Sequence, residues 1–64
     1  MDAYQQRVVE ELEELTKKIA ALGEFIGGKI YRGLSDYEQN LLQQQFRHMQ
    51  DYEGVLKQRV AGFA

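Results

Sequence analysis

Cysteine is absent from the 64 residues, so disulfides and a thiolate zinc site are both excluded. Proline is absent too, and tryptophan with it. Long apolar runs are missing: beyond Ile19-Ala20-Ala21-Leu22 the apolar residues come singly or in pairs, too few in a row to span a bilayer. The Met1-Asp2 start is acidic and shows no hydrophobic signal segment. Charge of one sign is also lacking. Eight Lys and Arg stand against ten Asp and Glu, a net charge of −2, which argues against binding along a DNA or RNA backbone. A chain this short makes one small domain and buries only about 60% of the surface its unfolded form exposes. Such domains are usually stapled, metal-bound or associated. With staples excluded, a small self-associating module is the expectation.

What the chain does contain is periodic. Val8, Leu12, Leu15, Ile19, Leu22 and Ile26 recur at alternating spacings of four and three, the signature of a helical stripe. Glu10, Glu13, Glu14 and Lys17 fill the opposite face. This predicts a helix over about 3–26, roughly 35 Å long at about 1.5 Å per residue. Four of the six glycines fall between 23 and 33 and divide the chain into two arms. Gly27-Gly28 ends the first arm, through the left-handed conformation that glycine tolerates. Ile30 and Leu34, in the connection 27–35, are expected under the hairpin end. Ser35-Asp-Tyr-Glu38 has the pattern of a capping box, with Leu34 placed for a hydrophobic staple. A second helix over about 36–61 carries Leu42, Phe46, Met49, Leu56 and Val60, with Phe63 beyond it. Gly54 interrupts that helix at a cost of about 1 kcal/mol relative to alanine, either incidentally or to admit a close helix.

The fold class is therefore all-α: one domain over 1–64, an antiparallel two-helix hairpin. Tyr4, Leu41, Tyr52 and Val55 lie beside the main stripes. Apolar groups on a second face predict association with other copies.

No catalytic constellation emerges, so an enzyme is not expected. Ser35 is accounted for by its cap and Thr16 sits mid-helix on the polar side. Glu10, Glu11, Glu13 and Glu14 point in different directions. His48 with Asp51 makes at most half a metal site, so neither metal nor cofactor is expected. Gly27-Gly28-Lys29 lacks the preceding strand and spacing of a phosphate loop. One strip has binding chemistry. Tyr4, Arg7, Glu11, Glu14 and Lys18 share a helix edge, and Gln45, His48, Tyr52 and Arg59 form a similar edge on the second helix. Rings stack on nucleobases, and cations hold phosphate oxygens. From spacing alone a solvated face, supported by Arg7–Glu11 and Glu14–Lys18 pairs at i,i+4, is favoured over a ligand site.

Taken along nearly the whole chain, Tyr4-Gln-Gln-Arg7-Val8-Val9-Glu10-Glu11, Glu14-Leu15, Lys18-Ile19, Leu22, Phe25-Ile26, Leu34-Ser35, Glu38-Gln39, Leu41-Leu42, Gln45, Met49, Tyr52, Leu56 and Arg59-Val60 form a combination. It resembles small phage proteins built on a helical hairpin, among them the anti-CBASS sponges that sequester cyclic oligonucleotide signals. Anti-Thoeris sponges share the hairpin. The resemblance implies a non-enzymatic homohexamer of two interlocked trimers, acting in the host bacterial cytoplasm. Cyclic dinucleotides would lie between protomers and cyclic trinucleotides in separate pockets. By motif, Tyr4 would stack on a base, Lys18 of the Glu-Leu-x-x-Lys-Ile pattern would meet a phosphate, and Arg59 would serve the trinucleotide pocket. The alternative is a non-catalytic interaction module that binds a protein partner through its second apolar face.

Overall fold

A computed structural model describes residues 2–63; Met1 of the acidic start and Ala64 lie outside them. Three helices follow in order: α1 (Ala3–Ile26), α2 (Lys29–Arg32) and α3 (Asp36–Ala61). Among the described residues there is no strand. The first and third helices pack side by side as a hairpin, and α2 is a single turn in the connection.

The two apolar stripes form the seam. Val8, Leu15 and Leu56 are buried, Leu56 to 1% exposure, and Leu12, Ile19, Met49, Val60 and Phe63 pack against them. Phe46 lies over Gly23, where an added Cβ would stand 3.5 Å from the ring. The Thr16 hydroxyl donates to Glu53 Oε2 at 2.9 Å, and Lys57 Nζ approaches Glu53 Oε1 at 3.5 Å. Both oxygens of this largely covered carboxylate are thus engaged, one of them across the hairpin.

The junctions differ from what the residue pattern predicts. No described glycine has a positive φ. Gly27 closes α1 in the right-handed region at φ −80°, its N–H donating to the Gly23 carbonyl at 3.2 Å. Gly28 is extended, and its glycine identity has a steric reason: a Cβ there would come within 3.3 Å of the Phe25 carbonyl oxygen. Ile30 is not tucked under the hairpin end but 70% exposed, because the turn of α2 presents it outward; Leu34 is half-buried. At the start of α3 the Ser35 hydroxyl accepts from the Glu38 amide at 3.1 Å, and this serine arm is the half of the capping box that forms. The staple is replaced by a polar clasp. The fourth residue of α3, where a staple partner for Leu34 would stand, is Gln39, whose side-chain amide donates to the carbonyls of Tyr31 at 2.8 Å and Leu34 at 3.2 Å. Tyr31 in turn donates its hydroxyl to the Gln39 carbonyl and accepts from Gln43.

The hairpin is thin and elongated, 46 × 15 × 13 Å. Its accessible surface is 4836 Å². A compact monomer of this mass exposes about 4,250 Å². The radius of gyration, 14.7 Å, likewise exceeds the roughly 11 Å of a compact chain this long. A single protomer leaves apolar surface that two helices cannot cover.

Candidate functional site

Two antiparallel right-handed helices that face each other have two open sides. Thr16, Gly23, Phe46 and Glu53 mark one of them, since these residues meet across the seam. Helical phase, at about 100° per residue, then places Tyr4, Arg7, Glu11, Glu14 and Lys18 of α1 on the other side. The same phase puts Tyr37, Leu41, Gln45, His48, Tyr52, Val55 and Arg59 of α3 on that second side as well. The two edges distinguished in the sequence therefore make one broad face.

That face is exposed and aromatic. Tyr4 is 50% exposed and Tyr52 45%, with Tyr37, Leu41 and Val55 also open. The Tyr4 ring is not wholly free: it meets Phe63 edge-on with centroids 5.9 Å apart, which fixes the start of α1 against the end of α3. The hydrogen bond from the Asp2 amide to Gln5 Oε1 at 3.1 Å secures the same end.

The ion pairs differ from those that spacing suggests. Glu14 pairs with Lys17 at 3.6 Å, not with Lys18, and the only other ion pair among the described residues is Lys57–Glu53. The Arg7–Glu11 and Glu14–Lys18 pairs do not form. Arg7, Lys18 and Arg59 are exposed and without a carboxylate partner among the described residues, as Lys29, Arg32 and Arg47 are too. The shared face holds three of the chain's eight Lys and Arg, with Glu11, Glu14 and, by the same phase, Glu38 beside them.

The four site residues are not one cluster within a protomer. Tyr4 and Lys18 stand on the same edge but about 21 Å apart along α1 at 1.5 Å per residue. Arg59 lies near the Arg7 end, not near Lys18. His48 and Asp51 gather no further ligand: among the described residues, no three His, Cys, Asp or Glu side chains come together as a metal site. No described helix is long and apolar enough to cross a membrane.

An open polar hollow of about 350 Å³ lies at the α2 end, lined by Tyr31, Asp36, Gln39, Asn40 and Gln43. Its amides and hydroxyl are largely occupied with one another and with backbone carbonyls, so it reads as the joint that locks the connection to α3. None of Tyr4, Arg7, Lys18 and Arg59 lines it.

Against known families, the Sequestin model matches residues 2–61. The chain belongs to the Sequestin family. A 7.5 kDa protein of Enterobacteria phage T4, described as an uncharacterised product of the denB–rIIB intergenic region, is 43% identical over 63 residues, covering 98% of each chain. No solved structure matches this chain. The family name suggests a sequestering, non-catalytic binding role.

Proposed function

We propose that this Sequestin is a phage immune-evasion protein that captures cyclic di- and trinucleotide second messengers and so silences CBASS-type signalling in the infected bacterium. It acts in the host cytoplasm by mass action: bound signal is withheld from the host effector, and nothing is hydrolysed. The observation that carries this reading is the placement of Arg7, Lys18 and Arg59 on one face with exposed Tyr4 and Tyr52. A cyclic oligonucleotide offers what such a face recognises, flat bases for the rings and phosphodiester oxygens for the cations.

Tyr4 stacks on a base, Lys18 meets a phosphate, and Arg59 serves the larger cyclic trinucleotides. A single small ring cannot reach both Tyr4 and Lys18 of one protomer, about 21 Å apart. The dinucleotide is therefore shared between copies, and the working form is an oligomer, a homohexamer. Its unusually large free surface and the row of Tyr37, Leu41, Tyr52 and Val55 supply the means to assemble.

Isothermal titration against a panel of cyclic di- and trinucleotides, followed by release of the ligand and its identification by mass, tests the reading. The expected result is tight binding with the ligand recovered intact. Silence across the panel at micromolar protein overturns it in favour of an interaction module that uses the same apolar row for a protein partner. Recovery of linear product would show that the protein turns its ligand over.

A further inference from the structure

We infer that Arg7 and Arg59 of one protomer act together as a single grip on a phosphodiester, which rests on and sharpens the sequestering reading by adding Arg7 to the site of Arg59. Register carries the inference. The Thr16–Glu53 bond and the Phe46 ring over Gly23 set residue 53 opposite residue 16 and residue 46 opposite residue 23. Six residues beyond Glu53, Arg59 comes level with position 10 of α1. Arg7 is then offset by only about 4.5 Å along the axis, and Lys18 by about 12 Å in the other direction. The helix axes of such a pair lie about 8–10 Å apart. Both arginines project from the same side of the seam, so two long guanidinium arms from facing edges have a common target between them.

Glu11 is the natural competitor. It is four residues from Arg7 and nearly level with Arg59, yet neither arginine is paired with it. A phosphate with two free oxygens matches a pair of guanidinium forks better than it matches one. Arg32 and Arg47 stand elsewhere, in α2 and on the outer side of α3, and serve as internal controls.

The test uses the arginine Nε–Hε resonances of the full-length protein, assigned with Arg7→Lys and Arg59→Lys and followed during titration with inorganic triphosphate and with cyclic triadenylate. The Arg7 and Arg59 signals should move together with one midpoint, while Arg32 and Arg47 stay still. Affinity for cyclic triadenylate should fall about tenfold in Arg7→Ala and in Arg59→Ala, and the double variant should lose less than the product of the two, as coupled residues do. Glu11→Gln should tighten binding severalfold. Movement of Arg59 alone, two separate midpoints, or fully independent losses would overturn the shared grip. A joint response to triphosphate with none to any cyclic nucleotide keeps the grip and sinks the sequestering function.

Discussion

The Thr16 hydroxyl reaches across the hairpin to Glu53 Oε2 at 2.9 Å, joining residues 37 positions apart in the chain. With the Phe46 ring over Gly23, this bond marks how far α3 has slid along α1. It sits on the side away from Tyr4, Arg7, Lys18 and Arg59. The register contact and the proposed ligand face thus lie on opposite sides of one thin molecule.

Removing the bond should therefore cost stability and spare the ligand face. Thr16→Val keeps the shape and deletes the donor, and is expected to cost about 1–2 kcal/mol in urea unfolding, given an ionised acceptor. A double-mutant cycle with Glu53→Gln should show coupling, since the two residues share one interaction. Nucleotide affinity should stay within twofold of wild type. A large loss of affinity in Thr16→Val would place the binding surface on the wrong side.

Gly54 offers a sharper test of what the outer surface of α3 does. An added Cβ would meet nothing within 4 Å, and by phase the residue looks away from both α1 and the Tyr52 edge. Gly54→Ala should stabilise the protein by about 1 kcal/mol, the ordinary gain of alanine over glycine in a helix interior. Thermal melting reads this directly. Destabilisation together with a smaller particle in light scattering would mean that another copy packs closely at Gly54.

Association itself should show in the melting behaviour. Three buried side chains among the described residues, of which Leu56 alone is fully enclosed, make a small core for a 64-residue chain. The melting temperature should rise with protein concentration, as it does wherever assembly stabilises the folded state. Val55→Glu, on the exposed row with Tyr52 and Leu41, should abolish that dependence and release smaller species in sedimentation. Leu56→Ala, next in sequence but in the seam, should instead cost about 2–5 kcal/mol of folding free energy. A wild-type protein that sediments as a folded 7.5 kDa monomer at low micromolar concentration would overturn the assembly.

Adjacent residues with such different fates show what the sequence could convey. Leu56 and Val55 are told apart by helical period, and the same period marked Val8, Leu15 and their partners as seam residues. The connection resisted this logic. Four residues of α2 carry too little periodicity to show that Ile30 points outward, and a glutamine at the staple position hid the clasp between Gln39, Tyr31 and Leu34. Ion pairing was ambiguous for another reason: Glu14 has a lysine at both i+3 and i+4, and spacing cannot choose between Lys17 and Lys18. The four site residues were visible as residue types on helix edges. Their mutual placement was not, because the level of Arg59 on α1 depends on a register visible only in contacts between distant residues, Thr16 with Glu53 and Gly23 with Phe46.

The final prediction concerns Tyr4 and Lys18, the two contacts assigned to dinucleotides. Tyr4 has a second duty, since its ring also meets Phe63 edge-on, a contact of about 0.5–1.5 kcal/mol. Tyr4→Ala would mix lost stacking with a loosened helix end. Tyr4→Leu keeps apolar bulk against Phe63 and removes the flat surface, so it should hold stability nearly constant and lower dinucleotide affinity by about 1–3 kcal/mol, the cost of one base stack. Lys18→Ala should weaken the same ligands and flatten the salt dependence of their binding, because one phosphate contact is gone. Since Tyr4 and Lys18 are too far apart within one helix to share a small ring, mixing the two variants should restore some sites in hetero-oligomers, where an intact Tyr4 meets an intact Lys18. Titration of the mixed sample against each variant alone measures that rescue. Binding that never exceeds the sum of the two single variants, with subunit exchange confirmed, would mean that Tyr4 and Lys18 do not serve one ligand between copies.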